Sequence, residues 1–131
     1  MNSIAYFLLR VMAVATMLGH GIVRMPKLEG FSEWMASTFE GSMIPSVLVI
    51  GFSYALPFIE LFVGLLLFIG YKTKETAMVG ALTMSALIFG SCLIEEWEIL
   101  PSQIIHGMLF VVLVNFYQSN SFCLDKYQKC D

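Results

Sequence analysis

Residues 45–70 read PSVLVIGFSYALPFIELFVGLLLFIG, and this stretch decides the fold. Its 26 residues suffice to cross a bilayer as a helix, since about 20 apolar residues at about 1.5 Å rise per residue cover the hydrocarbon core. It holds one ionisable side chain, Glu60. A charged residue near the centre of a hydrocarbon span costs roughly 2.5–3.5 kcal/mol on insertion scales. It is tolerated where it faces a partner or a cavity inside a bundle.

Three further apolar segments surround this one, at residues 4–23, 76–94 and 100–117. Hydrophobic residues make up 58% of the chain and charged residues 13%, with a mean hydropathy of +0.79. A soluble domain carries nearer a quarter charged residues, so the composition specifies an integral membrane protein. At 131 residues the chain is a single domain, residues 1–131, read as an all-α, four-helix membrane bundle with a polar tail at 118–131. The net charge of −3, with no basic cluster or aromatic stacking platform, gives no sign of a nucleic-acid partner. The three cysteines, Cys92, Cys123 and Cys130, have no CxxC spacing and are too few for a cysteine zinc site or a disulfide framework. Ala13-Val14-Ala15 resembles a cleavage site, but Arg10 interrupts the apolar run before it, so the first segment is read as a retained helix.

The first connection, residues 24–44, is long. Phe31, Trp34, Met35 and Phe39 recur at helical spacing, bracketed by Gly30 and Gly41, which predicts a short interfacial helix between spans one and two. Four spans place both termini and the second connection on one side. Lys72, Lys74, Lys126 and Lys129 fall on that side and only Arg24 and Lys27 on the other, so the positive-inside rule puts both termini in the cytoplasm. Cys123 and Cys130 then sit in a reducing compartment, which disfavours a disulfide between them.

Two polar layers interrupt the apolar spans. Arg10 lies about 9 Å into the first span and Glu60 about 15 Å above the cytoplasmic end of the second, so a long arginine side chain can reach the carboxylate. The expected Arg10–Glu60 pair either pins the two helices together or handles a ligand or proton. Pro57 permits a kink one turn before Glu60, and Gly64 one turn after it leaves that face open, which suggests a groove holding the carboxylate. Ala15 with Gly19 and Gly51 with Ala55 form small-xxx-small seams suited to helix packing. Nearer the opposite boundary, His20 and His106 lie at similar depth on different helices, with Gln103, Ser91 and Cys92 at the same level. A hydrogen-bonded histidine pair is the simpler account of this layer, and a b-type haem is disfavoured because no motif accompanies the two residues. No metal site and no nucleophile–base arrangement is read from the sequence, and catalytic residues are not assigned.

These positions together resemble the DoxX family of small four-helix membrane proteins, which includes the DoxD-type subunit of thiosulfate:quinone oxidoreductase. The resemblance runs over about residues 5–117. It rests on Arg10, then His20-Gly21 and a basic residue, an aromatic-rich connection, a glycine-to-proline turn, and Ala55…Glu60…Gly64…Gly70…Thr73-Lys74. Arg24 stands where the family usually has lysine, and the turn is spread over residues 41–45. The resemblance implies a bacterial inner-membrane protein associated with redox chemistry at the quinone pool. A quinone or similar apolar ligand would then be bound by Arg10, His20 and Glu60 of that pattern together with His106, which lies outside it and comes from the polar layer alone, with Gly21, Pro57 and Gly64 shaping the cavity. Such a subunit would work with a soluble or membrane redox partner protein; the competing expectations are a non-enzymatic membrane scaffold or assembly partner for a soluble oxidoreductase, and a small transporter formed by a homo-oligomer.

Overall fold

The computed structural model describes residues 1–126. Its helices are α1 (Ser3–Arg24), α2 (Leu28–Thr38), α3 (Ser46–Ile69), α4 (Thr73–Leu93) and α5 (Leu100–Asn115), and no strand occurs among the described residues. Lys129 and Cys130 lie outside them. Asn2 starts α1 by accepting the Ile4 N–H at 2.8 Å. Pro26 lacks the N–H that would continue the ladder, and a 3-10 turn over Met25–Lys27 separates α1 from α2 there. Gly30 therefore lies inside α2 rather than at its start.

α1, α3 and α4 are long and apolar enough to cross a membrane. α5 is apolar but only 16 residues long, about 24 Å of helix. The expected fourth span was two residues longer; α5 ends at Asn115 and a 3-10 turn, Tyr117–Ser119, follows closely. Large apolar side chains such as Phe62, Leu82, Phe89 and Ile105 point outward. An apolar exterior over three or four helices suits a hydrocarbon solvent and not water.

The helices form two antiparallel pairs, α1 with α3 and α4 with α5. Close approach of α1 and α3 depends on glycine. A Cβ on Gly64 would lie 2.8 Å from the Leu18 backbone nitrogen, and one on Gly21 would lie 2.8 Å from that of Leu61. On the other pair, Gly80 receives the ring of Phe110, whose Cε1 would be 2.6 Å from an added Cβ. The pairs meet through Tyr6, Ala13, Met17, Leu67, Ala77, Met84, Phe110 and Leu113, all buried. The predicted seams at Ala15–Gly19 and Gly51–Ala55 do not form: a Cβ on Gly19 or Gly51 meets nothing within 4 Å. The residue spacing was right for packing, but those glycines face away from a neighbouring helix.

One end of the bundle is closed by the segment after α5. The Ser119 hydroxyl donates to the Met1 carbonyl at 2.8 Å, so this segment lies against the start of the chain. Gly70 and Lys72 adopt left-handed φ of 69° and 44°, which turns the chain sharply from α3 into α4. Asp125 accepts the backbone N–H groups of Lys72 and Thr73 at 2.5 and 2.8 Å, satisfying the first donors of α4. Gly70 is required twice over, because a Cβ there would also collide with Cys123 at 2.5 Å.

Candidate functional site

On α3 the buried positions Val49, Ser53, Leu56, Pro57, Glu60, Val63, Gly64 and Leu67 form one stripe, and Glu60 within it is 1% exposed. Its partner is Arg24, the last residue of α1: the guanidinium Nη1 lies 2.5 Å from Oε1. The Arg24 guanidinium also sits 4.6 Å from the centroid of the Phe31 ring on α2. The expected Arg10–Glu60 pair does not form. Arg10 instead donates to Asn120 Oδ1 at 2.7 Å and to the Phe122 carbonyl at 2.5 Å, holding the closing segment in place.

The axial offset of α1 against α3 explains the difference. Gly21 sits against Leu61 and Leu18 against Gly64, so Ile22 is level with Glu60, two residues before Arg24. The same register puts Arg10 about 18 Å further along the axis, beside Gly70. Reckoning depth from the sequence assumed that α1 and α3 enter the membrane level with each other. In fact α1 begins well beyond the end of α3.

Opposite the closed end, the helix pairs leave a cavity of about 910 Å³ that α2 helps to enclose. The Ser32 and Ser53 hydroxyl oxygens, both buried and 2.7 Å apart, hold α2 to α3. Phe31, Trp34 and Met35 of α2, Phe52 and Leu56 of α3, and Met84 and Leu87 of α4 supply apolar wall. Exposed Val47, Leu48 and Phe89 also belong to the lining, so the cavity opens on the apolar outer surface. The polar lining includes His20, Arg24, Glu60, Ser91, Gln103 and His106, with Glu96 from the acidic connection and the hydroxyl residues Thr16, Thr38 and Ser102. Gln103 Nε2 donates to Ser91 Oγ at 3.0 Å, and His106 Nδ1 lies 2.6 Å from the Ser102 carbonyl oxygen. Two buried polar atoms here have no hydrogen-bond partner among the described residues: Glu60 Oε2 and Gln103 Oε1.

The structure therefore brings His20, Glu60 and His106 to one cavity and leaves Arg10 outside it. Gly21 and Gly64 are filled by Leu61 and Leu18, so they pack helices and shape no groove. Pro57 is buried in an unbroken α3 and is not part of the lining. Arg24 was read from the sequence as a loop charge. The available signal was its position directly after an apolar run, within reach of the helix end, where a long basic side chain can bend back to an internal carboxylate. A volume near 900 Å³ with apolar walls and a few convergent polar groups suits a small organic ligand with a polar head.

In comparison with known proteins, the sequence model of the DoxX family matches residues 5–91, about two thirds of the chain. That match takes in His20, Arg24, Glu60 and Ser91 and stops before Gln103 and His106. No curated protein and no solved structure matches the chain.

Proposed function

The chain belongs to the DoxX family, and from that premise we propose that it binds a quinone or a comparable small apolar redox ligand inside the bundle, as a redox-associated membrane subunit. The observation that carries this reading is the cavity itself, with apolar walls converging on Glu60, Gln103, His20 and His106. The ring and tail of such a ligand would lie against Phe31, Trp34, Phe52 and Leu87. Its oxygen substituents would meet the polar end. The apolar lining at Val47, Leu48 and Phe89 supports entry of a lipid-soluble molecule from the bilayer rather than from water. Arg24 neutralises the Glu60 carboxylate, so a neutral head group fits this end better than an ionic one.

The test is a titration of the purified full chain in nanodiscs with a decyl-chain benzoquinone, supplied in both oxidised and reduced forms. Saturable binding of at least one form is expected, and its loss in Gly51→Phe. Gly51 lines the cavity and has no neighbour within 4 Å of an added Cβ, so a ring there fills the space without displacing a helix. If neither form saturates, or if Gly51→Phe binds as the native chain does, this reading fails.

We place the protein in a bacterial inner membrane with its termini in the cytoplasm and the cavity towards the outer face. Lys72 and Lys74 support this orientation at the closed end, while Arg24 at the other end is committed to Glu60. A green fluorescent protein fused after Asp131 should fluoresce. A dark fusion paired with an active C-terminal alkaline phosphatase fusion would reverse the orientation.

A further inference from the structure

The buried polar atoms that lack a partner at the cavity's polar end carry a sign, whereas the donors there, the His20 ring and the remaining N–H groups of Arg24, are more exposed. Glu60 uses Oε1 for Arg24, and its Oε2 is buried with no partner. Gln103 gives its amide Nε2 to Ser91, and its Oε1 is likewise buried without a partner. His106 Nδ1 lies 2.6 Å from the Ser102 carbonyl, which can only accept, so the ring proton sits on Nδ1 and the neutral ring keeps Nε2 as an acceptor. All three are acceptors. Rotating the Gln103 amide would exchange its two roles, because Ser91 can donate as well as accept; the carboxylate oxygen of Glu60 has no such alternative.

We infer that the site is built for the reduced, hydroxyl-bearing form of its ligand, a hydroquinone, in preference to the oxidised quinone. This inference rests on the ligand-binding reading above. A hydroquinone carries two O–H donors that can meet Glu60 Oε2 and a second acceptor at Gln103 or His106. A quinone carries only carbonyl oxygens, and an acceptor placed against an acceptor leaves both unpaired in a water-poor site. A cationic donor is a poorer match, because Arg24 already balances the charge of Glu60.

The experiment compares three ligands of nearly one shape on the native full chain in nanodiscs, by anaerobic calorimetry: decylubiquinone, decylubiquinol, and the dimethyl ether of that quinol. The quinol is expected to bind at least tenfold more tightly than the other two. Glu60→Gln replaces an obligate acceptor with a group that can donate, so it should shrink the quinol-over-quinone preference at least fivefold. Gln103→Leu serves as a second variant that leaves the Arg24–Glu60 pair intact, and should weaken quinol binding more than quinone binding. Equal or tighter binding of the quinone overturns the inference while leaving a ligand-binding cavity in place. Equal binding of quinol and dimethyl ether also overturns it, because the ether keeps the shape and loses the donors. If none of the three binds, the underlying functional reading falls and the inference falls with it.

Discussion

Replacing Arg24 by methionine removes the one partner, among the described residues, of a carboxylate that is almost wholly out of contact with solvent. Glu60 has a side chain 2% exposed, and its second oxygen is already unpaired. Breaking a buried pair by removing one member costs about 3–5 kcal/mol. The Arg24 side chain is 26% exposed, so some solvent reaches the pair, and about 3 kcal/mol is the expected loss for Arg24→Met. Glu60→Gln is milder, at about 1 kcal/mol, because the amide oxygen still accepts from the guanidinium and Arg24 can turn towards solvent. The double variant buries neither charge and should lose about 2 kcal/mol, which makes the coupling between the two sites about 2 kcal/mol. The assay is reversible unfolding in mixed micelles with increasing dodecyl sulfate, followed by far-ultraviolet circular dichroism. The companion cycle, Arg10→Met with Glu60→Gln, should be additive to within about 0.5 kcal/mol, because the two residues are some 18 Å apart along the axis. Coupling near zero for Arg24 and Glu60, or above about 1 kcal/mol for Arg10 and Glu60, would refute the α1–α3 register on which the site is built.

The same register predicts opposite outcomes for chemically identical changes along α1 and α3. Gly21→Ala and Gly64→Ala push a methyl group to within 2.8 Å of a neighbouring backbone nitrogen and should cost about 1–3 kcal/mol. Gly19→Ala and Gly51→Ala meet nothing and should be neutral or stabilising by up to about 1 kcal/mol through helix propensity; a uniform response across the four would contradict the packing. At the closed end, Arg10→Met removes two hydrogen bonds to the segment after α5, and Cys123, buried against Gly70, should become several-fold more reactive to a maleimide. With Cys92 and Cys130 replaced by serine, an unchanged labelling rate would show that Arg10 does not hold the closing segment down.

What the sequence reveals here depends on the range of the interaction. The helices were readable because apolar runs and their polar interruptions are local properties, and Pro26, Gly70 and Pro45 mark where they break. The layer of His20, Ser91, Gln103 and His106 was readable for a related reason. Each residue is counted from the nearest end of its own helix on the same side of the bundle, and the fixed rise of a helix makes such counts comparable. The ionic pair was not readable, because it depends on how far α1 slides along α3. That offset is set by which glycine meets which backbone, and glycine spacing alone does not say which face of the helix it serves. The segment after Tyr117 looked like an ordinary polar tail, since nothing in its composition announces that Asp125 reaches the first turn of α4.

The corrected pairing changes what the two polar layers mean. Read from the sequence, Arg10 and Glu60 made one layer and the histidines another, and a ligand site had to be divided between them. With α1 shifted, Glu60 and Arg24 join His20, Gln103 and His106 at a single cavity, and Arg10 is left with a separate task at the far end. Arg10 satisfies two acceptors in the closing segment and is 4% exposed, which is the pattern of a structural clasp. Glu60 is paired on one oxygen only and borders about 910 Å³ of space. A carboxylate kept in a membrane bundle for packing alone would be expected to have both oxygens satisfied. Its half-paired state beside a cavity supports the proposed binding role of Glu60, while the contacts of Arg10 are those of architecture.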